Sequence, residues 1–166
     1  MDKLHLKIGA RVSLLVNVNV LDGLVNGALG TVVGFEKNSN GDVTCVIVAF
    51  DSNECGREQR AKYPTIAEKY KNVNGTPIMR YEQEYAIEST RGKKQTAKAS
   101  VYNFPLRLSW ANTAHKMQGI TVKAGSKLIC HGNRDMRRGM AYVMLGRCER
   151  LEDVYITSDF DLSKIG

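Results

Sequence analysis

Short runs of apolar residues, separated by polar turns, make up the first two thirds of the chain. Valine, isoleucine, threonine and aromatic residues dominate these runs, a composition typical of β-strands. The predicted strands are residues 11–16, 30–36, 43–50, 78–87 and 97–108, the last one broken at Pro105. Between the second and third strands, Asn38-Ser39-Asn40-Gly41 predicts a hairpin turn. Several short strands at this spacing predict a small twisted barrel.

A helical excursion is predicted within this strand-rich part, at residues 57–71. Pro64 lies in the middle of the segment. Because proline lacks a backbone N–H and fixes φ, it interrupts a helix that runs through it. Residues 72–77 are predicted to form a loop.

The apolar spacing changes after residue 108. Trp110, Ala114 and Met117 recur at helical spacing, Ser109 is of a type favoured at an N-cap, and Gly119 is expected to end the helix. This spacing favours a core position for the Trp110 side chain. Stacking of Trp110 on a nucleic-acid base is the alternative.

The rest of the chain alternates between strand and helix patterns. Strands are predicted at residues 127–130 and 154–157, and a helix is predicted between them at 136–148. Helix, strand, helix, strand is typical of an α/β layer. The sequence therefore predicts two domains, a β-rich module at 1–108 and an α/β part at 109–166.

Composition excludes several protein classes. With 166 residues, 43% hydrophobic and 25% charged, the chain is expected to bury a core and is not disordered throughout. Its apolar runs are far shorter than the roughly 18–20 residues that cross a bilayer, and its first residues lack the apolar core of a signal peptide, so we expect an intracellular protein without membrane association. Four widely spaced cysteines predict reduced thiols, and no metal site is expected.

Positive charge is concentrated in one block. Residues 91–150 contain 13 Lys and Arg against 2 Asp and Glu, whereas the segments before and after this block carry a small net negative charge. A localised basic segment raises the local concentration of polyanions, and nucleic acid is the usual partner. A solvated lysine-rich surface without a partner is the alternative.

Two stretches carry the candidate chemistry. Residues 114–121 read Ala-His-Lys-Met-Gln-Gly-Ile-Thr and place polar groups able to contact phosphate beside a glycine at a helix end. Residues 141–147 read Ala-Tyr-Val-Met-Leu-Gly-Arg. At 100° per residue Arg147 lies about 20° from the direction of Met140, so it borders the core-facing side of the helix and can reach across a cleft.

Together these stretches resemble the fifth and sixth motifs of the Pif-type and RecD-like DNA helicases of superfamily one, approximately His-Lys-Ser-Gln-Gly-x-Thr and Tyr-Val-Ala-Leu-Ser-Arg-Ala. Residues 6–12 and 24–30 look like the entry to that family's small barrel, and residues 104–111 look like its exit. The resemblance implies an α+β fold in which a small Src-homology-three-like β-barrel is inserted in part of a RecA-like (P-loop NTPase) α/β domain. It also implies the C-terminal fragment of an ATP-dependent 5′-to-3′ DNA helicase.

The resemblance also implies a role for each motif residue. Arg147 would be an arginine finger on the γ-phosphate of ATP, and Gln118 and Gly119 would lie beside the nucleotide and couple it to the DNA. Three residues would face the single-stranded DNA backbone: Thr113, His115 and Lys116.

This sequence departs from the family pattern at three motif positions, where Met117 replaces Ser, Gly146 replaces Ser and Cys148 replaces Ala. The phosphate-binding Gly-x-x-x-x-Gly-Lys-[Ser/Thr] loop is missing, and so is an acidic strand end to bind magnesium. We therefore expect no ATP hydrolysis by this chain alone and no tight binding of ATP or Mg²⁺.

The expected partners are single-stranded DNA and the missing N-terminal nucleotide-binding half, and the expected location is the nucleus or the mitochondrion. A non-enzymatic single-stranded nucleic-acid-binding remnant is the main alternative function. A barrel that binds a protein partner is a third.

Overall fold

The structure is a computed structural model that describes residues 4–88, 96–132, 136–161 and 163. The chain divides into two compact units, Met1–Trp110 and Ala111–Gly166. The described strands are β1 Arg11–Leu14, β2 Leu29–Lys37, β3 Val43–Phe50, β4 Gly75–Met79, β5 Tyr81–Glu88, β6 Thr96–Asn103, β7 Leu106–Leu108, β8 Leu128–Cys130 and β9 Val154–Ile156. The described α-helices are α1 Arg57–Lys62, α2 Pro64–Lys69 and α3 Met140–Leu145.

Five strands of the first unit form one antiparallel sheet with the order β4-β3-β2-β1-β7. Two register shifts in β2, at Val32/Gly34 and Glu36/Lys37, interrupt its pairing with β3. A barrel closes only when the two edge strands pair. Within the described residues β4 and β7 pair only with their inner neighbours, so the chain has a mixed α/β fold with a small open sheet, and the predicted closed barrel is not confirmed.

One predicted strand, residues 78–87, is in fact two. It divides at Arg80, because β4 belongs to the five-stranded sheet and β5 pairs with β6 in a separate two-stranded ribbon. Pro77 is tolerated in β4 because this is an edge strand. The side-chain amide of Gln59 on α1 donates to the Pro77 carbonyl oxygen at 3.1 Å and covers part of that edge.

The helical segment consists of two short helices, because Pro64 is the first residue of α2, where its missing N–H costs nothing. A distant loop caps α1. The Asp22 carboxylate, only 5% exposed, accepts the backbone N–H groups of Glu58 and Gln59, both at 2.9 Å. The Asp22 carbonyl accepts the N–H of Gly56 at 2.8 Å.

A single apolar cluster fills the first unit. It draws on β1, β2, β3, β4 and β7 and on the loop before β2, and its fully buried members include Val12, Leu14, Leu24, Val32, Val48 and Ile78. The strands of the five-stranded sheet therefore share one core.

The predicted helix from Ser109 to Gly119 is wrong for its first half. The backbone N–H of Ser109 donates to the Arg11 carbonyl oxygen at 2.8 Å, so Ser109 extends the strand pairing of β7 instead of capping a helix. A 3₁₀ helix begins only at Ala114. The predicted core position of Trp110 is also wrong, since 70% of this residue is exposed.

The second unit is built around the parallel pair β8 and β9. Its core contains Cys130, Met136, Ala141 and Phe160, and the residues packed against it are Leu128, Met140, Met144, Leu145 and Val154. The helix predicted at 136–148 is shorter, because Gly139 adopts φ +79° just before α3 begins. None of the described helices has the length and apolar character to cross a membrane.

Candidate functional site

The first motif forms a short 3₁₀ helix, Ala114–Met117. The backbone N–H groups of Lys116 and Met117 both donate to the Thr113 carbonyl oxygen, at 3.0 and 3.1 Å. Gly119 then adopts φ +77°, a left-handed conformation that glycine reaches without steric cost. The motif therefore ends in a tight turn, as the glycine predicts, although its helix is much shorter than expected.

Ala114 faces inward and is buried, whereas the polar motif side chains point outward. Those exposed side chains belong to Thr113, His115, Lys116 and Gln118. Within the described parts of the chain they make no hydrogen bond or ion pair to another side chain. A hydroxyl, an imidazole, an ammonium group and an amide are thus available as donors to an external ligand.

The second motif lies on α3 and the residues that follow it. Ala141 is fully buried, and Met144 and Leu145 pack against the core, so the predicted apolar side of the helix is confirmed. Gly146 N–H donates to the Tyr142 carbonyl oxygen at 2.9 Å and Arg147 N–H to that of Met144 at 3.3 Å. The last helical turn therefore delivers Arg147 at a defined position.

The backbone around Arg147 is held from its other side by residue 122. Val122 N–H donates to the Arg147 carbonyl oxygen at 2.7 Å, and Glu149 N–H donates to that of Val122 at 3.1 Å. The Arg147 side chain is partly buried. Its Nε is buried and has no hydrogen-bond partner among the residues that the structure describes. A buried guanidinium nitrogen without an acceptor is costly, which sets this arginine apart from an ordinary surface arginine.

The two motifs pack against each other in the second unit. Helix α3 lies against the 3₁₀ helix Ala114–Met117 within the second unit. Residues about 30 positions apart in the sequence therefore share one local surface. The five candidate positions Thr113, His115, Lys116, Gln118 and Gly119 lie in the 3₁₀ helix Ala114–Met117 or next to its ends. Arg147 follows α3, the helix that packs against this 3₁₀ helix.

Glu149 is the acidic group nearest to Arg147 in the sequence, and it already has partners. Lys123 Nζ lies 2.8 Å from its Oε1, and Ala124 N–H donates to its Oε2 at 3.0 Å. These hydrogen bonds, that of Lys123 first, lower the pKa of Glu149 below its usual value. Lys123 is thus committed to an ion pair, and Glu149 stays ionised at neutral pH.

Sequence reasoning missed a polar group at the carboxyl ends of β8 and β9. A hydrogen bond of 3.1 Å joins His131 Nδ1 to Thr157 Oγ1, and Asp159 Oδ2 lies 3.7 Å from the same nitrogen. The only signal for it in the sequence is that both segments follow strands, because parallel strands end at the same edge of a sheet. Across the described ranges, no three or more His, Cys, Asp or Glu side chains come together as they would around a metal ion.

Comparison with known proteins gives matches over nearly the whole chain. The sequence profile for the 2B domain of DNA helicase Pif1 matches residues 1–35. The human ATP-dependent DNA helicase PIF1 is 30% identical over 158 residues, which cover 95% of this chain and 20% of the human protein. The Psychrobacter helicase Pif1 is 26% identical and matches 98% of this chain and 27% of its own length.

Solved structures agree with these sequence matches. Bacteroides Pif1 bound to single-stranded DNA has a TM-score of 0.62 and 30% identity, covering 98% of this chain and 32% of its own. Bacteroides Pif1 in complex with ADP-AlF3 and single-stranded DNA has a TM-score of 0.60 and 29% identity, with 95% and 30% coverage. The chain thus spans between a fifth and a third of the length of these relatives. It is a relative of the Pif1-type helicases and corresponds to the C-terminal part of such a protein.

Proposed function

We propose that this chain supplies the arginine finger and part of the single-stranded DNA track of an ATP-dependent 5′-to-3′ DNA helicase. The observation that carries the proposal is the Arg147 Nε, which is buried and has no partner within the described ranges. Arg147 follows a helix that packs beside the 3₁₀ helix with the outward-facing donors of the first motif. Both features match a site that is completed by ligands from outside this unit. The relatives that align with the chain are named ATP-dependent DNA helicases.

In this proposal Arg147 acts on ATP that is held mainly by another domain. A planar, permanently charged guanidinium stabilises negative charge that develops on the γ-phosphate during phosphoryl transfer. The fixed backbone on both sides of Arg147 limits the reorganisation needed to bring the side chain to the phosphate. Gln118 and Gly119 lie on the neighbouring turn, where a change in nucleotide state can reach the DNA-facing residues.

Magnesium would be held elsewhere. No cluster of carboxylates suited to it occurs among the residues that the structure describes, and the sequence has no phosphate-binding loop. The proposal therefore requires an N-terminal nucleotide-binding half that carries the phosphate-binding loop and the carboxylates. ATP and Mg²⁺ would then be the cofactors of the complete enzyme.

Single-stranded DNA is the proposed ligand of Thr113, His115 and Lys116. Their side chains are exposed and can donate hydrogen bonds to phosphate oxygens. Bacteroides Pif1, which shares this fold, was solved with single-stranded DNA. We further propose that residues 1–108 act as the inserted β-rich module and 109–166 as part of the second RecA-like domain. A DNA substrate places the protein inside the cell, and its assignment to the nucleus or the mitochondrion stays a prediction.

We expect Lys116→Ala to weaken binding of a single-stranded oligonucleotide and to make that binding less dependent on salt. Each phosphate neutralised on a single strand contributes about −0.7 to the slope of log K against log salt concentration. Losing one such contact should therefore reduce the slope by roughly 0.7. Fluorescence anisotropy of a labelled oligonucleotide at several salt concentrations gives both quantities.

Lys71→Ala is the matched control for this experiment. It removes the same charge from the first unit, where Lys71 is paired with Glu68, and we expect it to leave the slope nearly unchanged. Equal slopes for Lys116→Ala and the unsubstituted chain would exclude a phosphate contact at Lys116.

A further inference from the structure

Among the aromatic side chains of the first unit whose exposure the structure describes, that of the single tryptophan is the most exposed. Trp110 is 70% exposed. A lone exposed apolar residue is unremarkable on a protein surface, but an indole ring is the largest apolar side chain and gains most from a flat partner. Its exposure therefore makes it a candidate to contact a ligand.

The backbone that leads to Trp110 is held firmly in place. Leu108 is paired with Val12 in the sheet, and the next residue, Ser109, is buried and donates its N–H to the Arg11 carbonyl oxygen at 2.8 Å. Trp110 thus projects from the last fixed position of the five-stranded sheet. A ring presented from a fixed backbone loses little conformational entropy when it binds.

The sequence around Trp110 also suits a nucleic acid. It lies within the basic block of residues 91–150, and Thr113, the first proposed phosphate contact, follows three positions later. Along a single strand, bases and phosphates alternate within a few ångströms. Proteins that bind single strands without sequence preference combine a positively charged track with aromatic rings on which bases stack.

Tyr102 has nearly the same exposure, 67%, but a different setting. In the β5–β6 ribbon it is paired directly with Glu82, so a carboxylate lies on the same face. That negative charge opposes the approach of a phosphate backbone. The difference favours Trp110 over Tyr102 as the stacking residue and makes Tyr102 a suitable control.

We propose that Trp110 stacks on a base of bound single-stranded DNA. This inference rests on the proposed function, because it takes single-stranded DNA as the ligand. Stacking does not depend strongly on which base is bound, since every base has a flat face. It is also not electrostatic, so its loss should lower affinity without changing the salt dependence.

The test uses the complete 166-residue chain and an oligothymidylate as the probe. Because Trp110 is the only tryptophan, its fluorescence reports on this one position. We expect the oligonucleotide to quench the emission and to protect the ring from acrylamide. Trp110→Ala should lower affinity for the labelled oligonucleotide roughly five- to one-hundred-fold with an unchanged salt slope, and Trp110→Phe should retain part of the affinity.

Tyr102→Ala is the control and should bind as tightly as the unsubstituted chain, and circular dichroism checks that each variant is folded. Binding that leaves Trp110 emission and acrylamide access unchanged, or Trp110→Ala binding at full affinity, would overturn the stacking inference and leave the proposed DNA ligand intact. If the unsubstituted chain fails to bind the oligonucleotide even at low salt, the proposed function fails with it.

Discussion

Replacing Arg147 with alanine should lower ATP turnover by about 10³-fold or more in a complete helicase made by joining this chain to a matching nucleotide-binding half. The lost contact would act mainly on charge that develops in the transition state, so kcat should fall while DNA affinity stays nearly unchanged. DNA-stimulated phosphate release at saturating ATP and DNA measures the effect.

Arg147→Lys separates charge from geometry at the same position. Lysine keeps the positive charge but lacks the planar fork of the guanidinium, so a substantial defect should persist. The matched control is Arg150→Ala, because Arg150 is an exposed arginine paired with Glu152, two positions further along the chain. We expect this control to retain nearly full turnover.

A different outcome would assign Arg147 to the fold. If Arg147→Ala lowers thermal stability and DNA affinity together, with turnover per folded molecule unchanged, the side chain is a packing arginine at a helix end. A joined protein that binds single-stranded DNA but does not hydrolyse ATP would favour the alternative of a non-enzymatic binding remnant.

Gly56→Ala should lower the free energy of unfolding by about 2–4 kcal/mol, because backbone strain and a steric clash combine at this position. Gly56 adopts φ +82°, where any L side chain is strained. A Cβ there would also lie 2.5 Å from the Oγ1 and Cγ2 atoms of Thr76, which is fully buried. Since Thr76 lies in β4 and Gly56 precedes α1, relieving the clash would push the helix away from the sheet edge.

Gly41→Ala is the matched control for the strain alone. Gly41 adopts φ +86° in the hairpin turn, and an added Cβ would meet nothing within 4 Å. We expect this variant to lose about 1 kcal/mol. Urea unfolding followed by circular dichroism gives both free energies of unfolding, and equal losses would show that Thr76 accommodates the extra methyl group.

The strand runs of the first unit were predictable because their signals are local. Val43–Phe50 is a strand with the predicted bounds, since β-branched and aromatic residues fill six of its eight positions. Gly41 has the positive φ that its hairpin turn requires. The two motifs that indicated the helicase family were likewise readable, because they depend on residue type and order, and sequence and structural matches support them.

Longer-range contacts decided what the sequence could not. The sequence predicts Ser109 as an N-cap. In the structure its N–H donates to the carbonyl oxygen of Arg11, nearly one hundred positions away. This hydrogen bond prevents a helix from starting at Ser109 and leaves Trp110 exposed. The buried Asp22 carboxylate caps α1, whose N–H donors Glu58 and Gln59 lie 36 and 37 positions further along the chain. Pairing between β4 and β7, which the barrel prediction required, depends on how far the whole sheet coils.

The sequence by itself determined where most strands of the first unit lie, where glycines turn the chain and which residues carry the candidate chemistry. Only the tertiary structure decided which surfaces those residues share. Helix α3 packs beside the 3₁₀ helix Ala114–Met117, and the buried Nε of Arg147 finds no acceptor in the described part of the chain. A local sequence pattern indicates the conformation that a segment prefers and which of its residues are buried. Which distant segments pack against each other depends on the packing of the complete core.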